Sequence, residues 1–156
     1  MENGKTFEFL IASIGLILLL ALSTAGSAAG LAKIGTSSAF YMSNPFITPR
    51  SYFAAGISFS IFLFALILSF LFSSNLNSEL TTSGSFKILT ASSIYGIVAY
   101  FVGNGIGDNA QVFFQTLNKN ELFSVPFLLI CSMYEVLVLF AMIISLIINK
   151  SVFSEK

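Results

Sequence analysis

The sequence predicts an all-α membrane protein with four transmembrane helices arranged as two duplicated helical hairpins. Three observations predict it: charge is scarce, apolar residues come in four long runs, and short polar connections separate those runs. Of 156 residues, 56% are hydrophobic and only 9% are charged, where a soluble domain carries about 25% charge. Mean hydropathy is +0.91. So few charges cannot cover a water-facing surface, so lipid must be the solvent for much of the chain. Residues 1–156 read as a single membrane domain.

A spanning helix needs roughly 20 mostly apolar residues. The first stretch that qualifies runs from about Phe9 to Leu31. Its small-residue run STAGSAAG resembles a signal-peptidase site, but Glu2 and Glu8 stand against Lys5 in the leading segment. The positive start of a signal peptide is missing, so this stretch is expected to remain as a helix. The second runs from about Tyr52 to Phe72, and the third, the least hydropathic, from about Ile88 to Gly107 without a charge. The fourth and longest runs from about Leu122 to Ile148.

Asn44, Pro45, Pro49 and Arg50 are read as the break between helices one and two. The polar run Ser73 to Ser85 separates two and three, and Asn118 to Glu121 precedes helix four. Backbone groups in hydrocarbon must bond within their own segment, which makes spans of this length helical. No alternating barrel pattern occurs. Lys33, Arg50 and Lys119 on one side and Lys5, Lys87, Lys150 and Lys156 on the other give too small a contrast to orient the chain.

Several function classes drop out on composition. Seven basic and seven acidic residues cancel, so there is no positive field to hold nucleic acid. Histidine is absent and Cys131 is the one cysteine. Thiol–imidazole catalysis, histidine metal sites and an internal disulfide are thereby excluded. Cys131 lies in an apolar run and reads as a small hydrophobe. No GxxxxGK[ST] nucleotide loop occurs. No cofactor and no metal is expected.

The two halves echo each other. Gly26 and Gly30 recur as Gly103 and Gly107, 77 positions later, and Ala65 and Ser69 recur as Ala141 and Ser145, 76 positions later. Glycines four apart share one helix face and admit a neighbouring backbone. Helices one and three therefore look built for tight packing. Helices two and four carry Phe53, Phe59, Phe62, Phe64, Phe70, Phe127 and Phe140, which suit a looser lipid-facing layer. Spacing alone leaves two uses for the glycines: packing within one bundle, or assembly of many copies into a ring.

Glu135 is the only acid or base deep in any span. Thirteen residues separate it from Leu122 and thirteen from Ile148, about 20 Å of helix either way. A charge at the bilayer centre costs at least about 2.5 kcal/mol. The side chain is therefore expected to carry a proton while it faces lipid and to release it beside a cation. A carboxylate that moves one proton between two environments is the minimum part of a proton carrier. The bland alternative is a neutral glutamate bonded to a neighbouring helix. Lys33 and Asp108 are read as solvated groups near helix ends, so no cation of this chain is expected at the depth of Glu135. A complete proton path then needs another polypeptide.

These residues are similar to a known family. The run GSAAGLAKIG at the end of helix one, FVGNGIGDNA at the end of helix three and YEVLVLFAMIISLII in helix four resemble the proteolipid c subunit of eukaryotic vacuolar-type proton ATPases. The resemblance extends over nearly the full length. It implies a ring of copies of this or related c-type subunits, with helices one and three inside and two and four outside. By the same likeness Glu135 is the proton-carrying carboxylate. The expected partners are a static membrane subunit that supplies the cation, central-stalk subunits and membrane lipid. The chain would be one part of a proton-translocating enzyme, no catalyst alone, in a vacuolar or other acidic endomembrane with both termini luminal.

The sequence departs from the family at three places. The helix-two tyrosine of the family is replaced at Leu63, Phe64 and Ala65, leaving Ser58, Ser60 or Tyr134 as substitute hydroxyls. The arginine after the Gly-Asp turn is missing, with Val112 to Phe114 in its stretch. The counterpart of Glu135 in the first half is Phe59. Two other readings stand beside the rotor subunit. One is a structural or channel-forming four-helix protein in which Glu135 fixes packing. The other is sodium coupling, for which only Ser132 and Tyr134 offer oxygens nearby.

Overall fold

The computed structural model describes residues 2–74, 76, 81–119 and 121–150, with side chains from 5 onward except at 121. Residues 75 and 77–80 of the second connection, residue 120 of the third and the C-terminal segment with Lys156 lie outside the described residues. The described chain forms four long helices: α1 (Glu2–Phe40), α2 (Ile47–Ser73), α3 (Thr82–Leu117) and α4 (Ser124–Lys150). A single 3₁₀ turn at Glu121–Phe123 leads into α4. All four are long and apolar enough to cross a membrane.

The helices outrun the hydropathic stretches at most ends. At about 1.5 Å per residue, α1 is roughly 58 Å long and α3 roughly 54 Å, against a hydrocarbon core of about 30 Å. Helix three was expected to stop at Gly107, yet it continues through Asp108, Asn109, Gln111 and Gln115 to Leu117. Hydropathy reports compatibility with lipid, and these polar residues still close i to i−4 backbone bonds. Likewise the expected break at Pro49 and Arg50 lies inside α2, whose connection to α1 shrinks to residues 41–46. Pro49 is the third residue of α2, where the missing N–H has no helical acceptor to lose. At the start of α3 the Thr81 side chain accepts from the Gly84 N–H and caps the first turn.

Helix α1 packs along α3 for most of its length, α2 packs on α1, and α4 packs on α3, with smaller contacts of α2 to α3 and α4. The α1–α3 contacts keep a nearly constant register. Thr82 donates to Glu8, Gly15 faces Leu89, Gly26 faces Tyr100 and Lys33 pairs with Asp108. These pairs are 74 or 75 positions apart, so the two helices run parallel and level. The same offset joins Arg50 to Ser124 and Asn44 to Asn118 at the starts of α2 and α4. The core between the helices holds Leu19, Ile61, Tyr95, Ala99, Ile106, Phe114 and Phe127. Tyr95 donates to the Ile61 carbonyl at 2.8 Å, and Ser27 and Ser58 each donate to the other's carbonyl, whereas the buried Ser92 hydroxyl has no partner among the described residues.

Of the phenylalanines expected to face lipid, Phe53, Phe59, Phe70 and Phe140 are exposed, while Phe62 and Phe64 are half-buried. Phe127 corrects the expectation. It is fully buried, with its ring 5.3 Å from Phe113 and 5.5 Å from Phe114. The ten residues that α3 gains beyond Gly107 supply those two rings.

Candidate functional site

The small-residue faces of α1 and α3 meet each other. A Cβ on Gly26 would lie 2.6 Å from the Tyr100 Cα and 2.7 Å from the Ala99 carbonyl oxygen. One on Gly103 would run into the Gly26 backbone, and one on Gly30 into the Gly103 carbonyl. On Gly107 it would come within 3.0 Å of the Gly30 Cα and of the Lys33 stem. All four glycines thus lie where backbone meets backbone within one chain, and this contact by itself gives each of them a physical reason to lack a side chain.

Glu135 sits on α4, about 16 Å from its start and about 22 Å from its end. The buried residues of α4 are Phe127, Cys131, Val138, Ala141, Ser145 and Asn149. With half-buried Tyr134 they recur every three or four residues and form one seam against the bundle. Glu135 lies immediately beside that seam and is half-buried, between the packed edge and a face of exposed Met133, Val136, Leu137 and Phe140. Nothing among the described residues donates to its carboxyl group or pairs with it.

The hydroxyls expected as substitutes, Ser58, Ser60 and Tyr134, and Ser132, named as an oxygen for sodium, each bond to another group. Ser58 is paired with Ser27, Ser60 donates to the Ile57 carbonyl at 2.8 Å, and Ser132 donates to the Leu128 carbonyl at 3.0 Å. Tyr134 accepts from Asn109 Nδ2 at 2.6 Å. Its ring lies over Gly105, where a Cβ would come within 3.1 Å. This Asn109–Tyr134 link escaped the sequence reading, which ended helix three before Asn109. The signal was a polar residue two positions past a Gly-rich turn, with the one tyrosine of α4 as its partner.

Lys33 and Asp108 also correct an expectation. They are accessible but paired, and they lie at about the level of Tyr134 and Glu135, where no cation of this chain was expected. Lys33 Nζ lies 2.7 Å from Asp108 Oδ1 with side chains 31% and 64% exposed, and Asn104 Oδ1 accepts from the same ammonium at 3.3 Å. Both helices run on past the pair.

The chain matches no family model and no curated protein sequence.

What the geometry can do chemically is narrow. Among the described residues no three His, Cys, Asp or Glu side chains gather as metal ligands. The hydroxyls of Ser27, Ser58, Tyr95 and Ser145 serve helix contacts. Glu135 is left as an acid at mid-helix on the exposed side of α4, at about the level of the Lys33–Asp108 pair, since Asn109 beside Asp108 bonds Tyr134 beside Glu135. Among the described residues its carboxyl group has no partner, and it is open to the exposed face of α4.

Proposed function

We propose that this chain is a proton-carrying rotor subunit of the membrane sector of a vacuolar-type ATPase, with Glu135 protonated and deprotonated once per passage. The observation that carries the reading is the carboxyl group of Glu135 at the middle of α4, which has no partner among the described residues. A glutamate kept for packing would be bonded to a neighbouring helix, because an unpaired polar group in hydrocarbon is costly. The likeness of GSAAGLAKIG, FVGNGIGDNA and YEVLVLFAMIISLII to proteolipid segments supports the family reading, which rests on those residues alone. The level, parallel placement of α1 beside α3 also suits a unit built from two copies of one hairpin.

In this reading, copies of the chain or of related c-type subunits close into a ring through their α1 and α3 sides. ATP hydrolysis elsewhere turns the ring. A static membrane subunit presents a cation that draws the proton from Glu135, and lipid receives the reprotonated, neutral side chain. The connections at one end meet the central stalk. The compartment is an acidic endomembrane.

The test is a complex built wholly from Glu135→Gln subunits. Glutamine keeps the shape and the neutral state but releases no proton. The ring should assemble and acidification should vanish. Normal acidification would refute the proton-carrier role.

A further inference from the structure

We infer that Asn109, Tyr134 and Gly105 form a rotational stop that sets the direction in which Glu135 leaves α4. This rests on the proton-carrier reading, and it adds positioning residues that the reading itself does not require.

Helix α4 packs chiefly on α3, with a smaller contact to α2 and none to α1. Its seam is mostly apolar and shallow, so dispersion contacts alone would tolerate a modest swivel about the helix axis. Polar bonds are what single out one angle. Near its start, the Ser124 hydroxyl accepts from Arg50. Towards its far end, Ser145 donates to the Ala91 carbonyl at 2.8 Å. At the middle, the tie is Asn109 Nδ2 donating to the Tyr134 hydroxyl.

The middle tie is also a wedge. The Tyr134 ring lies over Gly105, where a Cβ would come within 3.1 Å of it, so the ring would have to yield by a few tenths of an ångström. The hydrogen bond from Asn109 and the Gly105 backbone both bear on the hydroxyl end of the ring and hold that tip on α3. Tyr134 and Glu135 are consecutive, so their side chains leave the helix about 100° apart. Fixing Tyr134 on α3 therefore fixes Glu135 at the edge of the seam, half-buried. A swivel of a few tens of degrees would carry Glu135 either fully onto the exposed face or into the seam against α2 and α3.

The test uses the full-length chain in membranes, with two readouts on Glu135 itself. One is the rate of carboxyl modification by a hydrophobic carbodiimide at fixed pH. The other is the infrared carbonyl band of the protonated acid, assigned by its loss in Glu135→Gln. Tyr134→Phe removes the hydroxyl, Asn109→Leu removes the donor, and Gly105→Ala pushes on the hydroxyl end of the ring while keeping both bonding groups. Each should change the modification rate by about threefold or more and move the band. The Tyr134→Phe and Asn109→Leu effects should not add in the double variant, because both delete one bond. Unchanged rate and band in all three variants, or fully additive effects, would overturn the stop. The carrier reading fails separately, when Glu135→Gln still pumps.

Discussion

Gly26 and Gly103 face each other across the α1–α3 contact so closely that a Cβ on Gly103 would strike the Gly26 backbone. A rotamer change cannot relieve such a clash, since the obstacle is main chain. Gly103→Ala should separate the helices and cost about 1–3 kcal/mol, the usual penalty of overpacking. Gly35→Ala is the control, because a Cβ there meets nothing within 4 Å; it should be neutral or stabilising by up to about 1 kcal/mol. Reversible unfolding in mixed micelles measures both. Equal stability of the two variants would contradict the close contact.

The Lys33–Asp108 pair is partly exposed, so its charge should matter little. Asp108→Asn is expected to cost at most about 1 kcal/mol, and less at high salt. The Lys33 stem is a different matter, since it lies against Gly107. Lys33→Met keeps that stem and should be milder than Lys33→Ala in the same unfolding measurement. A reversed order would place the stabilisation in the charge.

The connections between α1 and α2 and between α3 and α4 meet through Asn44 and Asn118. Cysteines introduced at Ser43 and Asn118 should react with an impermeant maleimide from the same face of sealed vesicles. Labelling from opposite faces would rule out four spans in this order.

Glu135→Asp keeps an acid on a stem one methylene shorter. Proton transport should fall well below the native rate while remaining above that of Glu135→Gln. A hydrophobic carbodiimide should modify the native protein at this position and spare the glutamine variant. Equal transport by the aspartate variant and the native protein would mean that reach does not limit the exchange.

Much of the fold was legible because lipid imposes it. Four apolar runs of spanning length leave no other backbone arrangement, and Glu135 stood out as a charge-bearing group where charge is costly. Helix ends were not legible. Asp108, Asn109, Gln111 and Gln115 look like a loop to a hydropathy reading, yet they continue α3 into a polar setting. The buried setting of Phe127 and the Asn109–Tyr134 link followed from that one misplaced boundary. The glycine pairs were visible as a spacing, but which face they met depended on α1 and α3 running parallel at an offset of 74 or 75. Single-sequence identities, at 76 and 77, only approximated that register.

The α1–α3 contact is made by main chain at its centre and is pinned near its ends by Glu8 with Thr82 and by Lys33 with Asp108. Main-chain contacts offer no side-chain hinges, and pins at both ends oppose sliding. Sliding one helix along the other would have to break both pins and force backbone past backbone at Gly26 and Gly103.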